Sequence, residues 1–196
     1  MDLYDMTGSM SEAMGWTTKK SERVYENPWF SVRKDSVIQP DGKPGEYFVV
    51  ERAGAVVIVA EDDSENLVLV YQTKYPVGKR LLEFPAGLVE EGESPLDTAK
   101  RELKEETGLS AGSWESLGSL YPSAGMTDER EYVFLARDLT EGKAQLEGTE
   151  DIEATRMSLG AIREHIVSGE EQSGFFLAAF LLYEERKRRE AVSVSE

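Results

Sequence analysis

Three glutamates, Glu102, Glu105 and Glu106, recur at the i, i+3 and i+4 spacing of a helix. That spacing places their carboxylates on one helical face, where like charges destabilise an isolated helix by about 0.2–0.5 kcal/mol per pair. Glu105 and Glu106 also lie near the predicted helix C-terminus, which disfavours anions. If this face were only solvated, the repulsion between its carboxylates would destabilise the helix. A hard divalent cation bound between the carboxylates would make the same arrangement stabilising. The spacing indicates a site for Mg²⁺ or Mn²⁺, which prefer oxygen ligands.

The helix that presents these glutamates has clear end signals. Ser94 is a suitable N-cap, Pro95 suits the first helical position, and Gly108 suits the left-handed position after the last turn. These signals predict a helix over Pro95–Thr107. The residues expected to form its buried stripe are Leu96, Ala99 and Leu103.

The stretch 87–109 matches, position for position, the signature of the Nudix hydrolases, G-x5-E-x7-R-E-U-x-E-E-x-G-U, in which U is a bulky aliphatic residue. The matching residues are Gly87, Glu93, Arg101, Glu102, Leu103, Glu105, Glu106, Gly108 and Leu109. The resemblance implies a loop–helix–loop whose metals bridge a substrate diphosphate. The implied ligands of two or more Mg²⁺ or Mn²⁺ ions are Glu102, Glu105, Glu106 and the backbone carbonyl of Ala86.

The resemblance also implies supporting roles and a reaction. Arg101 and Glu93 would orient the helix and the metal ligands, and Gly87 would let the backbone turn tightly beside the ions. The reaction would be attack of water on one phosphorus of a nucleoside diphosphate linked to another group, with Glu105 and Glu106 in the catalytic set.

The stretch YPSAGMTDERE (121–131) follows this signature. It resembles the P-S-x-G-x-x-x-E stretch of the ADP-ribose and ADP-sugar pyrophosphatase branch, with Ser123, Gly125 and Glu129 at matching positions. The resemblance implies hydrolysis of ADP-ribose, or a related ADP-sugar, to AMP and a sugar phosphate. It implies substrate contacts from Gly125, Met126 and Glu129, although Glu129 could instead be a base or a metal ligand.

Two alternatives to this function stay open. One is a hydrolase of GDP-mannose or another nucleotide sugar or dinucleotide. The other is a non-catalytic Nudix protein that senses a ligand as a regulator. The intact carboxylate signature argues against a loss of metal binding in the second case.

An N-terminal β-segment, which serves dimerisation and base binding in this branch, is predicted over 21–52. Strand-forming residues at 27–39 and 46–53 flank the turn formers of 40–45, which predicts a β-hairpin. Aromatic rings there could stack on an adenine. The candidates are Trp29, Phe30, Tyr47 and Phe48, of which Trp29 and Tyr47 are favoured.

Basic side chains for the phosphates or the base are predicted at Arg52 and Lys74, with Arg80 as a weaker candidate. Many relatives carry arginine where Lys74 stands, and a lysine cannot bind phosphate in the bidentate mode.

A group that takes a proton from the attacking water is expected in the acidic loop 146–154. Glu150 is the predicted base, and Glu147 and Glu153 are the alternatives. His165 lies on a predicted helix without a partner motif, so we interpret it as structural or exposed.

The order of elements predicts a mixed α/β (α+β) fold, a Nudix α/β/α sandwich with a mixed β-sheet and an N-terminal β-hairpin extension. Continuous apolar residues at 53–60 indicate a strand buried on both faces. The remaining predicted elements are strands at 67–75, 114–121 and 130–137, and helices at 158–169 and 173–190. The expected organisation is a flexible leader (1–20), the N-terminal segment, the Nudix domain (53–190) and a tail (191–196).

The composition excludes several kinds of metal site and argues against several kinds of binding partner. The chain has 196 residues, a net charge of −16, one histidine and no cysteine. Thiolate metal sites and disulfides are therefore excluded, and a reducing cytoplasm is the expected compartment. The charge argues against binding nucleic acid or anionic membranes, and no apolar run reaches the ~20 residues of a membrane span. A homodimer is expected from the branch resemblance.

Overall fold

The computed structural model describes residues 15–146, 148, 151–170 and 172–193. The chain divides into two compact units. The first contains the chain up to Ala53 together with Ser123–Glu129, and the second contains Gly54–Pro122 and the chain from Arg130 onward. Each unit has a sheet of its own.

The first unit contains an antiparallel sheet of three strands in the order β1-β2-β3. The strands are β1 (Thr17–Glu26), β2 (Ser31–Ile38) and β3 (Pro44–Glu51). The predicted hairpin corresponds to β2 and β3, whose turn contains Gly42 in the left-handed conformation. Strand β1 was not predicted, and it begins within the segment assigned to the leader. Its sequence, TTKKSERVYE, is polar and largely exposed, so it lacks the apolar alternation by which a strand is recognised.

The second unit contains a mixed sheet of seven strands in the order β10-β5-β4-β9-β8, with β6 paired to β5 and β7 paired to β4. Strands β4 and β9 are parallel, and the other pairs are antiparallel. The strands are β4 (Ala55–Glu61), β5 (Leu67–Lys74), β6 (Lys79–Glu83), β7 (Ala86–Leu88), β8 (Ser110–Leu120), β9 (Glu131–Thr140) and β10 (Ile152–Met157). The helices are α1 (Pro95–Thr107), α2 (Leu159–Val167) and α3 (Gly174–Ser193).

Helices cover both faces of this sheet. On one face, Val56 and Ile58 of β4 pack in a core with Ala99 and Leu103 of α1. On the other face, alternate residues of the same strand pack in a second core with α2 and α3, through Val57, Val59, Ile162, Phe176 and Tyr183. The predicted α/β/α sandwich with a mixed sheet is therefore confirmed, as is the burial of both faces of β4.

Helix α1 has the predicted bounds and caps. The Ser94 side chain accepts a hydrogen bond from the Asp97 amide at 3.2 Å. Gly108 is left-handed with φ of 76°, and its amide donates to the Lys104 carbonyl. Ser158 likewise caps α2 through the Ala161 amide. Local side-chain chemistry thus fixes both helix starts.

The acidic stretch 146–154 differs from the prediction of a continuous loop, because β10 begins at Ile152 and pairs with β5. That pairing joins segments about eighty residues apart along the chain, and no local pattern announces it. Within the described part of the chain, no helix is both long and apolar enough to cross a membrane.

Candidate active site

Strand β7 lies against the face of helix α1 that carries predicted metal ligands. The Ala86 amide donates a hydrogen bond to Glu106 Oε2 at 3.1 Å. Glu106 follows Leu103 by three residues, so it lies on the inner side of the helix and is only 4% exposed. Its carboxylate is therefore directed at β7, beside the backbone of Ala86.

Gly87 explains how closely the strand approaches the helix. A Cβ atom at Gly87 would lie 2.0 Å from both the Cδ and the Oε1 atoms of Glu102. A side chain at this position would require the Glu102 carboxylate to move, and no left-handed backbone conformation is involved. The structure shows a close approach to a carboxylate at Gly87. The expected role of this glycine, a tight backbone turn beside the ions, stays a prediction.

Arg101 is the centre of the hydrogen bonds around these carboxylates. Its Nε and Nη2 atoms donate to the two oxygens of Glu93, at 3.2 and 3.0 Å. Its Nη1 atom donates to Glu102 at 2.7 Å and to Glu105 at 3.0 Å. Nη2 also reaches the Leu88 carbonyl at 3.3 Å. One planar guanidinium therefore fixes three carboxylates and the backbone of β7.

These contacts favour the charged forms of Arg101 and Glu93. The hydrogen bonds to Glu93 raise the pKa of Arg101 against the opposing effect of burial, and the charge of Glu102 and the hydrogen bonds to Glu102 and Glu105 add to the rise. The bonds from Arg101 to Glu93, together with one from the Thr98 hydroxyl at 2.8 Å, lower the pKa of Glu93. Glu93 is therefore an ionised anchor for Arg101.

The donor set suits a hard divalent cation. The carboxylates of Glu93, Glu102, Glu105 and Glu106 and the backbone of Ala86 all offer oxygen donors, which such cations prefer. In residues 15–146 and the other described segments, no three acidic or histidine side chains already converge as a preformed metal cluster. Arg101 Nη1 instead bridges Glu102 and Glu105.

Lys74 lies on the face of β5 that is turned toward α1, since Val68 on that face packs in the core under the helix. Its Nζ atom is 2.6 Å from Glu83 Oε2 and also donates to Gln72. Glu83 is almost fully buried. The lysine therefore neutralises a buried carboxylate three residues before Ala86.

Glu153 is placed on the other face of the sheet. It is paired in register with Tyr71, which packs against the core under α2 and α3. Arg80 reaches Glu153 at 3.2 Å and Asp151 at 2.6 Å, so its charge has local partners. The other two candidate bases, Glu147 and Glu150, lie outside the described residues.

In the first unit, five of the predicted substrate-binding residues lie together. The Tyr47 hydroxyl donates to the Gly125 carbonyl at 2.8 Å, and the Val50 amide donates to the Met126 carbonyl at 2.9 Å. Arg52 Nη1 is 3.4 Å from Glu129 Oε1. The segment Ser123–Glu129 therefore runs beside β3.

Two tryptophans of the first unit have different surroundings. Trp29 is 69% exposed, and its stacking on a base stays a prediction. Trp16 makes an edge-to-face contact with Tyr47, with ring centroids 5.8 Å apart. Trp16 was missed because it falls in the stretch assigned to the leader, and the only available signal was the aromatic residue itself.

Glu129 is a buried carboxyl that forms an ion pair with Arg52. Burial raises its pKa, the charge of Arg52 opposes that rise, and the neighbouring Asp128 adds to it. His165, in contrast, packs edge-on against Phe176 beside the α2–α3 core. That contact agrees with a structural role.

Family models match almost all of the described chain. A NUDIX domain model matches residues 50–175. This chain belongs to the Nudix family. A second model, the nucleoside diphosphate sugar hydrolase N-terminal domain, matches residues 16–50, which contain β1, β2 and most of β3. The family predicted from the carboxylate signature is confirmed.

Similar proteins support the predicted branch. The chain is 45% identical over 125 residues to an ADP-ribose pyrophosphatase of Mycobacterium tuberculosis, covering 63% of this chain and 60% of that protein. It is 34% identical over 144 residues to an ADP-ribose pyrophosphatase of Bacillus subtilis, covering 72% and 78%. A crystal structure of an ADP compounds hydrolase superposes with a TM-score of 0.80 at 23% identity, covering 92% of this chain and 98% of the other, which confirms the fold.

Proposed function

We propose that this Nudix chain is a Mg²⁺-dependent pyrophosphatase that hydrolyses ADP-ribose, or a related ADP-sugar, to AMP and a sugar phosphate. The observation that carries the proposal is the set of carboxylates gathered by Arg101 where β7 meets α1. The substrate class is supported by the two relatives named ADP-ribose pyrophosphatase.

The chain's own residues divide the work at this site. Glu102, Glu105, Glu106 and the carbonyl of Ala86 would hold the divalent cations. When bound, such ions neutralise charge on the diphosphate and lower the pKa of a bound water. Arg101 and Glu93 would keep the carboxylates oriented, as their hydrogen bonds suggest.

Other groups are proposed to act on the substrate itself. Lys74 would offer its remaining N–H to a phosphate oxygen, since Glu83 and Gln72 take only two of its three donors. The segment Ser123–Glu129 would contact the sugar, on the strength of its resemblance to the branch. Glu150 would accept a proton from the attacking water.

Three further parts of the proposal concern the metal ions, the assembly and the location of the protein. Two or more Mg²⁺ ions, with Mn²⁺ as a substitute, are proposed from the number of carboxylate oxygens. A homodimer is proposed from the branch resemblance. A cytoplasmic location is proposed from the lack of cysteine.

The direct test is release of AMP from ADP-ribose in Mg²⁺, measured beside GDP-mannose, ADP-glucose and NADH at equal concentration. The Glu105→Gln/Glu106→Gln double variant is the control, and its thermal unfolding is compared with that of the parent. We expect ADP-ribose to be preferred tenfold or more and the variant to be inactive while folded. A flat substrate profile would refute the assigned substrate, and an active double variant would refute the assigned metal face.

A further inference from the structure

The segment Ser123–Glu129 is fastened along β3 at several points within the first unit. The Val50 amide donates to the Met126 carbonyl at 2.9 Å, and the Val50 carbonyl accepts from the Asp128 amide at 3.4 Å. The Arg52 amide reaches Asp128 Oδ1 at 3.3 Å. Val50 and Thr127 form a parallel β-bridge. The segment thus behaves as a short extra strand on β3.

Tyr47 supplies the attachment nearest the start of the segment. Its hydroxyl donates to the Gly125 carbonyl at 2.8 Å, across 78 positions of sequence. Arg52 holds the other end through Glu129. Tyr47 in β3 and Arg52, which directly follows β3, therefore bracket the segment, one by a neutral hydrogen bond and one by an ion pair.

Packing does little to hold the segment at this point. A Cβ atom at Gly125 would have no heavy atom within 4 Å beyond its chain neighbours. The next residue, Met126, is 57% exposed. With few apolar contacts around these two residues, hydrogen bonds carry most of the order of the backbone there. The Tyr47 hydroxyl makes one of those bonds, beside the Val50 bonds and the bonds from the Met126 and Thr127 amides to the Ser123 carbonyl.

We propose that Tyr47 is a positioning residue, whose hydroxyl fixes the Gly125 carbonyl and so the substrate-binding segment Ser123–Glu129. Its contribution comes from this hydrogen bond and not from stacking of its ring on the nucleotide base, which is the role its sequence context suggests. The functional consequence rests on the proposed function, because that function assigns the sugar contacts to Ser123–Glu129. The structural consequence, a looser segment without the hydroxyl, stands independently.

Tyr47→Phe separates the two roles, since it removes one oxygen and keeps the ring. Phenylalanine stacks on a base about as well as tyrosine does, so a stacking residue would tolerate the change. A positioning hydroxyl would not. We expect kcat/KM for ADP-ribose to fall on the order of tenfold, the scale of one lost hydrogen bond combined with misplacement of substrate contacts.

The base of the substrate gives a second test of the same variant. ADP-ribose and IDP-ribose share the diphosphate and the ribose, and differ only in the purine. If Tyr47 acts through the sugar-binding segment, Tyr47→Phe should lower kcat/KM for the two substrates by the same factor. A loss confined to one of them would assign Tyr47 to the base and overturn the proposal.

Amide hydrogen exchange of the free protein tests the attachment without any substrate. We expect Tyr47→Phe to speed exchange at Met126–Asp128 by several-fold and to leave β2 unchanged. Tyr25→Phe is the matched control, because Tyr25 lies on β1 of the same sheet and its hydroxyl contacts only Asn27 among the described side-chain hydrogen bonds. Tyr25→Phe should alter neither exchange nor turnover.

The outcomes distinguish this proposal from the proposed function. Unchanged exchange at Met126–Asp128 overturns the proposal whatever the substrate is. Faster exchange with full activity on ADP-ribose also overturns it, because the segment's position would then not matter. If the parent does not hydrolyse ADP-ribose, the proposed function fails, and the kinetic comparison is made on the substrate that the panel identifies.

Discussion

Gly87 and Glu102 approach so closely that a Cβ atom on the glycine would lie 2.0 Å from the carboxylate carbon. The two residues belong to β7 and α1, so their contact sets the distance between the strand and the helix. Arg101 also links the two elements, because it donates hydrogen bonds to Glu102 of α1 and to the Leu88 carbonyl of β7. The arrangement of β7 and α1 therefore depends on the absence of a side chain at Gly87 and on the guanidinium of Arg101.

Gly87→Ala should impair both catalysis and metal binding at the contact between β7 and α1. The added methyl must displace the Glu102 carboxylate, and displacement of a catalytic group by about 1 Å can lower the rate by about 10²-fold. We expect kcat to fall by about that factor and Mn²⁺ binding, measured by calorimetry, to weaken in parallel. Gly160→Ala in α2 is the control, because a Cβ there meets only ordinary contacts. Full activity of Gly87→Ala would contradict the assigned geometry.

Arg101→Lys should retain the charge and lose the function. A lysine cannot donate to Glu93, Glu102 and Glu105 together, because its ammonium lacks the planar fork. Residues that orient metal ligands typically contribute about 10–100-fold in metal affinity or activity, and we expect losses of that size. Arg163→Lys is the control, since Arg163 is an exposed arginine that pairs with the single carboxylate of Glu184. Equal losses in both variants would mean that orientation at the site is not the cause.

The candidate site could be predicted from the sequence to the extent that it is local in the chain. The carboxylates, Arg101, Glu93 and the caps of α1 lie within about twenty residues, and helical periodicity fixes their relative directions. Burial of Glu106 was not predictable in this way, since a glutamate on the inner face is recognisable only once β7 is in place. The same holds for the pair of Lys74 with Glu83.

The non-local parts of the fold were the ones missed. Strand β1 has no apolar alternation, and β10 becomes a strand through its pairing with β5. Register then decides the face on which Glu153 lies, which its position in an acidic stretch cannot reveal. The role of Tyr47 depended in the same way on a partner 78 residues away.

Lys74 should prove to have two separable roles. Lys74→Met leaves the buried Glu83 without its cation, and we expect a loss of about 1–3 kcal/mol in the free energy of unfolding. The double variant Lys74→Met/Glu83→Met should recover most of that stability, because it removes both charges. Its hydrolysis of ADP-ribose should stay low if Lys74 binds phosphate. Recovery of activity with stability would show that the lysine is only structural. Lys20→Met, which breaks an exposed pair on β1, is the control.

Substitutions in the acidic stretch 146–154 should distinguish the general base, Glu150, from Glu153. Glu153 lies on the sheet face opposite α1, so Glu153→Gln should leave kcat within about twofold of the parent. Glu150→Gln should lower kcat by about 10²-fold or more, the typical contribution of a general base. A pH–rate profile checks the assignment, since loss of the base removes the acidic limb. A strong effect of Glu153→Gln would contradict the register of β10.

Glu61 should make stability depend on acid pH. It is 5% exposed, and it accepts hydrogen bonds from Arg137 at 2.6 Å, Tyr183 at 2.7 Å and Lys187 at 2.8 Å. Burial alone would raise the pKa of Glu61, but these bonds outweigh it and the pKa is lowered. The charged form is thus favoured by folding, so its stabilisation is complete above the unfolded carboxyl pKa of about 4.3 and is lost as pH falls through the lower folded value.

Glu61→Leu should therefore destabilise the protein at neutral pH by about 3 kcal/mol, because two cations lose their buried partner. Urea unfolding at pH 7 and at successively lower pH measures the difference from the parent. We expect that difference to be largest at pH 7 and to shrink below about pH 4, where the parent carboxylate is protonated as well. Glu185→Leu, which breaks only exposed pairs at the end of α3, should change stability much less. A gap between parent and Glu61→Leu that stays constant on acidification would show that shape, and not charge, is what Glu61 contributes.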